Sequence, residues 1–184
     1  MSVDEEREIL AHVAETEFRP VVIRGQAARR TARHYGVEYD YEARGPLAAG
    51  EPLPAWLEPL RERSARLAGT AAQDLAEALL QRYPAGATIG WHRDAPGFGT
   101  VVGVSFAGPC RLRLRRSVEG EWLTHEVALE PRSAYVLDGQ ARWSWQHSIP
   151  PTPALRYSLT FRTLRSRSGA TRPGPGQPSQ LDPA

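Results

Sequence analysis

The sequence predicts a mainly β domain with flanking helices, an α+β arrangement whose C-terminal half is a sandwich or barrel of short strands. Three observations lead there. From Ile89 onward the chain runs in short alternating segments; no helical period interrupts them; and the breaks carry turn residues, as in Ala107-Gly108-Pro109, Glu119-Gly120 and Asp138-Gly139. Short strands without intervening helices have no helical layer to cover them, so they pack sheet on sheet or close on themselves.

The elements follow in order. Residues 2–13 suit a short helix, and 18–23 has the β-branched character of a strand, ended by Gly25. A second helix is expected over 55–67, where Leu57, Leu60 and Leu67 fall near helical spacing and Gly69 supplies a stop. Residues 73–83 fit two templates. Leu75 and Leu79 suit a helix, whereas 79–83 before Pro84 and Gly86 suits a strand entering a turn. Strands are then expected at 100–106, 110–116, 125–129, 133–137, 142–148 and 156–163. In 110–115 the period is two, with Leu112 and Leu114 on one face and Arg111, Arg113 and Arg115 on the other. Residues 166–184 are Pro, Gly, Ser and Gln with almost no large apolar side chain, which reads as a disordered tail behind a single domain over 1–165.

Composition narrows the chemistry. A chain of 184 residues supports one hydrophobic core, not two full ones. No window offers the roughly 18 consecutive apolar residues of a membrane span, and the acidic start at Asp4, Glu5 and Glu6 is unlike a signal peptide, so the expected address is cytoplasmic and no membrane is involved. The single cysteine, Cys110, excludes an internal disulfide and any multi-cysteine metal site. A metal here must use His, Asp or Glu. A net charge of +2 does not by itself call for nucleic acid. All 23 basic residues are Arg, a bias that genome base composition explains more readily than phosphate binding does. They cluster at Arg24, Arg29, Arg30 and Arg33, at Arg111 to Arg116, and at Arg162, Arg165 and Arg167, as a phosphate-facing rim or as solvated faces.

The chemistry-bearing constellation begins at Trp91-His92-Arg93-Asp94. At a strand end, alternation projects His92 and Asp94 from one face. His147 offers a third ligand, and two His plus one carboxylate with open positions is the facial arrangement of non-haem iron(II) oxygenases. Taken alone, H-x-D is a weak signal. In 156–162, Tyr157, Leu159 and Phe161 separate onto one face and Arg156, Ser158, Thr160 and Arg162 onto the other. The two Arg Cα atoms stand roughly 20 Å apart at about 3.3 Å per residue, and both side chains can reach inward. A small diacid between them would find two bidentate partners. The competing picture is an edge strand that turns its Arg, Ser and Thr to solvent.

The segments 80–94, 138–150 and 156–162, carrying H-x-D, H and R-x-x-x-x-x-R in that order, resemble the AlkB family of iron(II)- and 2-oxoglutarate-dependent dioxygenases, oxidative demethylases of nucleic acids. The resemblance implies a double-stranded β-helix, or jelly roll, with the core over about 71–165 and a substrate-lid extension over about 1–70. It implies iron(II) on His92, Asp94 and His147, the distal carboxylate of 2-oxoglutarate on Arg156, Arg162 near the keto-acid end, and Tyr83 against the cosubstrate. Gln81 stands where the family usually has Asn, two residues before that Tyr. Residues 29–41 resemble the family's lid, which places Arg33, Tyr35, Tyr39 and Tyr41 against a substrate base, with Trp91 as a pocket wall; an ordinary Tyr-rich hairpin is the competing reading.

The implied reaction uses iron(II), 2-oxoglutarate and dioxygen to demethylate an N-alkylated base in DNA or RNA, releasing succinate, carbon dioxide and formaldehyde, and the protein is expected to act as a monomer. Pro96 stands where the family's DNA repair members carry an acidic residue. A hydroxylase of the same fold acting on modified tRNA or other RNA, or on a protein side chain, is the alternative, and a noncatalytic nucleic-acid-binding module the more distant one. His12, His34 and His125 read as surface or packing residues, Trp122 and Trp143 as core or sheet-edge aromatics, Trp145 as a second pocket wall, and Cys110 as a small buried hydrophobe.

Overall fold

The computed structural model describes residues 1–23, 25–40 and 45–165, with the backbone alone for 23, 38–40 and 45–49. Helix α1 (Val3–Ala14) opens on a capping box: the Ser2 hydroxyl accepts from the Glu5 amide at 3.1 Å, and the Glu5 carboxylate accepts from the Ser2 amide at 2.6 Å. Strands β1 (Arg19–Ile23), β2 (Gln26–Asp40) and β3 (Gly45–Ala49) follow. A 3-10 turn over Ala55–Leu57 leads into α2 (Glu58–Ala68), which Gly69 closes at φ 65°, a left-handed conformation that glycine adopts without steric cost.

The remaining elements are β4 (Leu75–Tyr83), β5 (Ile89–His92), β6 (Phe98–Phe106), β7 (Cys110–Val118), β8 (Glu121–Leu129), β9 (Ala134–Leu137), α3 (Gly139–Trp143), β10 (Gln146–Ile149) and β11 (Arg156–Leu164). Two antiparallel sheets result. The large one runs β1-β2-β4-β11-β6-β9, with β3 on β2; the small one runs β5-β10-β7-β8. No helix among the described residues is long and apolar enough to cross a membrane.

Strand β11 lies between β4 and β6, so both its edges are hydrogen-bonded, and its two faces are buried as well. Leu159 and Phe161 join Leu80, Val102, Val104 and Phe106 in a core capped by Val13 of α1 and Leu60 and Ala65 of α2. The opposite face carries Arg156, Ser158, Thr160 and Arg162, all buried. That central position disposes of the solvent-facing edge strand. A second cluster of Cys110, Leu112, Leu129 and Ile149, with Tyr135 of β9 packed against it, joins the small sheet to the polar face of the large one.

One expectation is corrected and two open alternatives are resolved. Residues 75–83 form a strand, not a helix, because β4 sits between β2 and β11 and buries nearly every position. The apparent helical spacing of Leu75 and Leu79 is a by-product of that two-sided burial. Residues 142–148 are not one strand. The buried Arg142 donates from Nε to the Gly99 carbonyl at 2.9 Å and from Nη2 to the Ala95 and Phe98 carbonyls at 2.7 and 2.8 Å, and these bonds hold the end of α3 as a helical turn before β10 begins. Residues 26–40 make one continuous strand in place of a hairpin, and its pairing with β4 builds the N-terminal extension into the large sheet. Tyr41 and 166–184 lie outside the described residues.

Candidate metal centre and its carboxylate pocket

The two histidines meet because their strands pair. His92 ends β5, His147 opposes it in register on β10, and the rings lie 4.2 Å apart between centroids at 57°. Asp94 follows two residues after His92, with Oδ2 3.5 Å from His147 Nε2. His92 Nδ1 is 2.9 Å from the Gly90 carbonyl. A proton on Nδ1 donated to that carbonyl leaves the Nε2 lone pair available, the usual way a ligating imidazole is oriented.

The protonation states suit a cation. Burial lowers the basicity of His92, and burial together with the His92 ring brings His147 down to about 4, so both imidazoles are neutral at pH 7. Burial alone would raise the Asp94 carboxyl, but the Arg162 charge with the flanking histidines holds it at about 2. Two neutral nitrogens and one carboxylate oxygen are a donor set for a divalent transition metal. Among the described residues no three His, Cys, Asp or Glu side chains are preset at ligand spacing.

Arg162 holds the carboxylate. Its Nε and Nη2 donate to Asp94 Oδ1 at 3.0 and 2.7 Å, and Nη1 donates to Glu77 Oε2 at 2.6 Å. Glu77 is the register partner of Arg162 on β4, is almost fully buried, and has its other oxygen 3.2 Å from Nδ1 of His34. Arg162 is thus a clamp on Asp94, and any hold it has on a keto-acid runs beside that contact.

Arg156, six residues earlier on the same face, is differently placed. It has no exposed surface; Nε donates to Ser105 Oγ at 3.1 Å, the guanidinium carbon lies 5.1 Å from the Tyr83 ring centre, and Nη1 and Nη2 have no hydrogen-bond partner. The Cys110 thiol beside it is pushed up by burial, so it is not the anion the guanidinium lacks. Around this group stand Tyr83, whose hydroxyl donates to Gln81 Oε1 at 3.1 Å, and Tyr135. Burial raises both phenols and keeps them neutral. The Tyr135 ring occupies the space above Gly103, where a Cβ would come within 2.3 Å of its Cζ. A buried guanidinium with two unmet donors is an incomplete structure whose natural complement is a carboxylate.

His92, Asp94, His147, Arg156, Arg162, Tyr83 and Gln81 are therefore brought together, and other expected residues are not. Trp91 alternates with His92 and falls on the opposite face of the small sheet, beneath the Arg113 and Arg115 guanidiniums at 5.5 and 4.3 Å, so it walls no pocket. Tyr35 is buried in the core against α2 and presents no face to a base. Arg33 pairs with Glu51 and lies over the Tyr35 ring at 5.7 Å. The Tyr39 side chain and Tyr41 lie outside the described residues. His12 stacks on Trp56, as a packing histidine would.

Sequence reasoning missed Glu77, Ser105 and the Tyr135–Gly103 pair, and Arg30, read as part of a phosphate-facing rim or solvated face, is instead buried, where its charge also depresses His92. Glu77 alone left a trace, as a single acid in the apolar run of β4. A cavity of about 340 Å³ lined by Val13, Phe18, Thr31, Arg82 and Tyr157 sits on the outer face of the large sheet, apart from this chemistry.

Comparison with known proteins agrees with the geometry. Residues 4–162 match the model of the 2OG-Fe(II) oxygenase superfamily. The chain is 28% identical over 174 residues to the Alkylated DNA repair protein ALKBH8 homolog of Arabidopsis thaliana, covering 82% of this chain and 48% of that protein. It is 38% identical over 107 residues to the mitochondrial Alpha-ketoglutarate-dependent dioxygenase alkB homolog 7 of Bos taurus, covering 50% of this chain and 45% of that one. The chain thus spans about half the length of these relatives. The solved structure of OsALKBH1 superimposes with a TM-score of 0.66 at 14% identity, covering 88% of this chain and 94% of that one, which establishes the jelly-roll oxygenase fold.

Proposed function

The chain belongs to the 2OG-Fe(II) oxygenase superfamily, on the AlkB branch, and from that premise we propose that it is a dioxygenase that removes N-alkyl groups from bases in DNA or RNA. Enzymes of this family use iron(II), 2-oxoglutarate and dioxygen. The residues fit these groups: His92, Asp94 and His147 form the donor set, and the two unpartnered nitrogens of the buried Arg156 suit the distal carboxylate of the cosubstrate. Bound there, metal and cosubstrate supply the oxidation of a substrate C–H bond, with succinate and carbon dioxide as coproducts and formaldehyde where the target is N-methyl.

The protein's own residues do the rest. Arg162 fixes Asp94 with its outer oxygen toward His147. Tyr83, Gln81 and Tyr135 wall the carboxylate pocket with neutral polar groups, and the apolar cluster of Cys110, Leu112 and Ile149 keeps water from it. The observation that carries the reading is Arg156, because an unpaired guanidinium in a dry site is costly unless a ligand completes it.

Anaerobic addition of iron(II) and 2-oxoglutarate is expected to give a weak visible charge-transfer band, and His92→Ala to abolish it. Incubation with alkylated oligonucleotides and tRNA is expected to release formaldehyde. Succinate formation without methyl loss from any of them would overturn the substrate assignment while leaving the enzyme class standing. Pro96, in place of an acidic residue that would balance a cationic base, directs attention to uncharged targets. A product heavier by one oxygen, with no formaldehyde, would assign the enzyme as a hydroxylase.

A further inference from the structure

We propose that His125, Trp145 and Arg116 form a stacking platform for the nucleobase adjacent to the one being oxidised, in a single-stranded nucleic acid; this rests on the nucleic-acid reading above. The register locates the platform. His147 opposes Leu114 on β7, and Leu114 opposes His125 on β8, so all three stand in one row on one face of the small sheet. Neighbouring strands lie about 4.8 Å apart, which sets His125 roughly 10 Å from His147 and leaves the distance of a neighbouring nucleotide between them.

The groups in that row suit a base and its phosphate. The His125 and Trp145 rings lie 5.3 Å apart at 42°, and the Arg116 guanidinium stands 5.1 Å over the same indole. Beside them Leu123 and Val127, on the His125 face of β8, are 40% and 43% exposed. Arg116 donates to the Gln140 amide oxygen at 3.4 Å and its Nε has no partner; Arg93 donates to the Ser144 carbonyl at 3.1 Å. In these bonds neither cation meets a carboxylate, so both charges remain available to an anion.

On the other face of the same strands three guanidiniums are already engaged within the sheet. There Arg111 and Arg113 both pair with Glu126, at 2.9 and 3.0 Å, and Arg115 is held between Trp91 and Trp122 at 4.3 and 4.2 Å. Register, not charge, selects the face, because it alone is in line with the histidines. Aromatic rings interleaved with guanidiniums stack any base and hold its phosphate without reading its edges, so the platform is sequence-tolerant.

The test uses the full chain loaded with manganese(II) and 2-oxoglutarate, which prevents turnover. Binding of fluorescein-labelled mixed-sequence DNA and RNA hexanucleotides is read by anisotropy, and of a single methylated nucleotide by calorimetry. Trp145→Ala is expected to weaken hexanucleotide binding about tenfold, the worth of one stacked base, with the mononucleotide unaffected. Trp145→Phe should restore most of the affinity. His125→Ala, on an exposed strand that tolerates truncation, should weaken it in the same direction, and Arg116→Gln should reduce the salt dependence by about one phosphate contact. Wild-type binding that Trp145→Ala and His125→Ala leave intact would overturn the platform and spare the nucleic-acid reading. A wild-type chain that binds no hexanucleotide would sink both. A concentration-dependent dimer lost in Leu123→Glu would assign this face to a second copy of the chain, which also overturns the proposal.

Discussion

Replacing Arg156 with Met should raise the melting temperature of the ligand-free protein while ending its response to 2-oxoglutarate. In the free protein this guanidinium is fully buried, its Nη1 and Nη2 are unpartnered, and its returns are one bond to Ser105 and the face of Tyr83. An unmet buried donor costs about 1–3 kcal/mol, and the Ser105 bond contributes about 1 kcal/mol. A cation over an aromatic ring adds roughly another 1 kcal/mol. Met fills similar space without polar atoms, so the balance favours the variant by about 2 kcal/mol. For a chain of this length that is a rise of roughly 4–8 °C. In the wild type, 2-oxoglutarate at about a hundred times its Kd contributes about 2.7 kcal/mol, a comparable rise, and the variant should show none of it. Scanning calorimetry of both proteins with manganese(II), with and without cosubstrate, measures all four values. A variant that melts below wild type and still shifts with 2-oxoglutarate would refute the assignment of Arg156 as the carboxylate partner.

Other expectations follow from the same contacts. Gly103→Ala forces the Tyr135 ring from its seat and should cost about 1–3 kcal/mol by urea unfolding, with weaker 2-oxoglutarate binding. Glu77→Ala leaves Arg162 short of a buried partner and should cost about 3–5 kcal/mol, whereas Glu77→Gln, which keeps an acceptor, should cost less and restore the charge-transfer band. Because burial raises the Cys110 thiol above its ordinary value, its thiolate fraction at pH 8 is lower in the folded than in the unfolded chain. Alkylation by iodoacetamide should therefore be slow in the native protein, quicken as pH rises past 9, and become fast at pH 8 once urea is added. Equal rates at pH 8 with and without urea would contradict the burial.

Much of this protein was legible along the chain, because the signals were local. Period-two alternation in β7 and β11 put Leu on one face and Arg on the other, and the H-x-D spacing at a strand end put His92 and Asp94 within reach of each other. The candidate metal ligands and the candidate carboxylate-binding Arg could be named without coordinates. Tertiary structure decided what each arginine faces. Arg162 reaches Asp94 and Glu77, 68 and 85 residues away, while Arg156 is left with empty donors, and no local pattern distinguishes the two.

Pairing likewise decided the fate of β4 and β2. Burial on both faces erases the alternation that marks a strand, so residues 75–83 looked half helical until their neighbours were known. Trp91 and Tyr35 lie away from the candidate metal centre for a related reason: composition marks an aromatic residue as useful, but the side of the sheet on which it lands depends on register. Sequence alone determined which chemical groups this protein carries and at what period. Only the packing of two sheets determined which of those groups meet, because the electrostatic and hydrogen-bonding contacts that define the site act over a few ångströms between residues far apart in the chain.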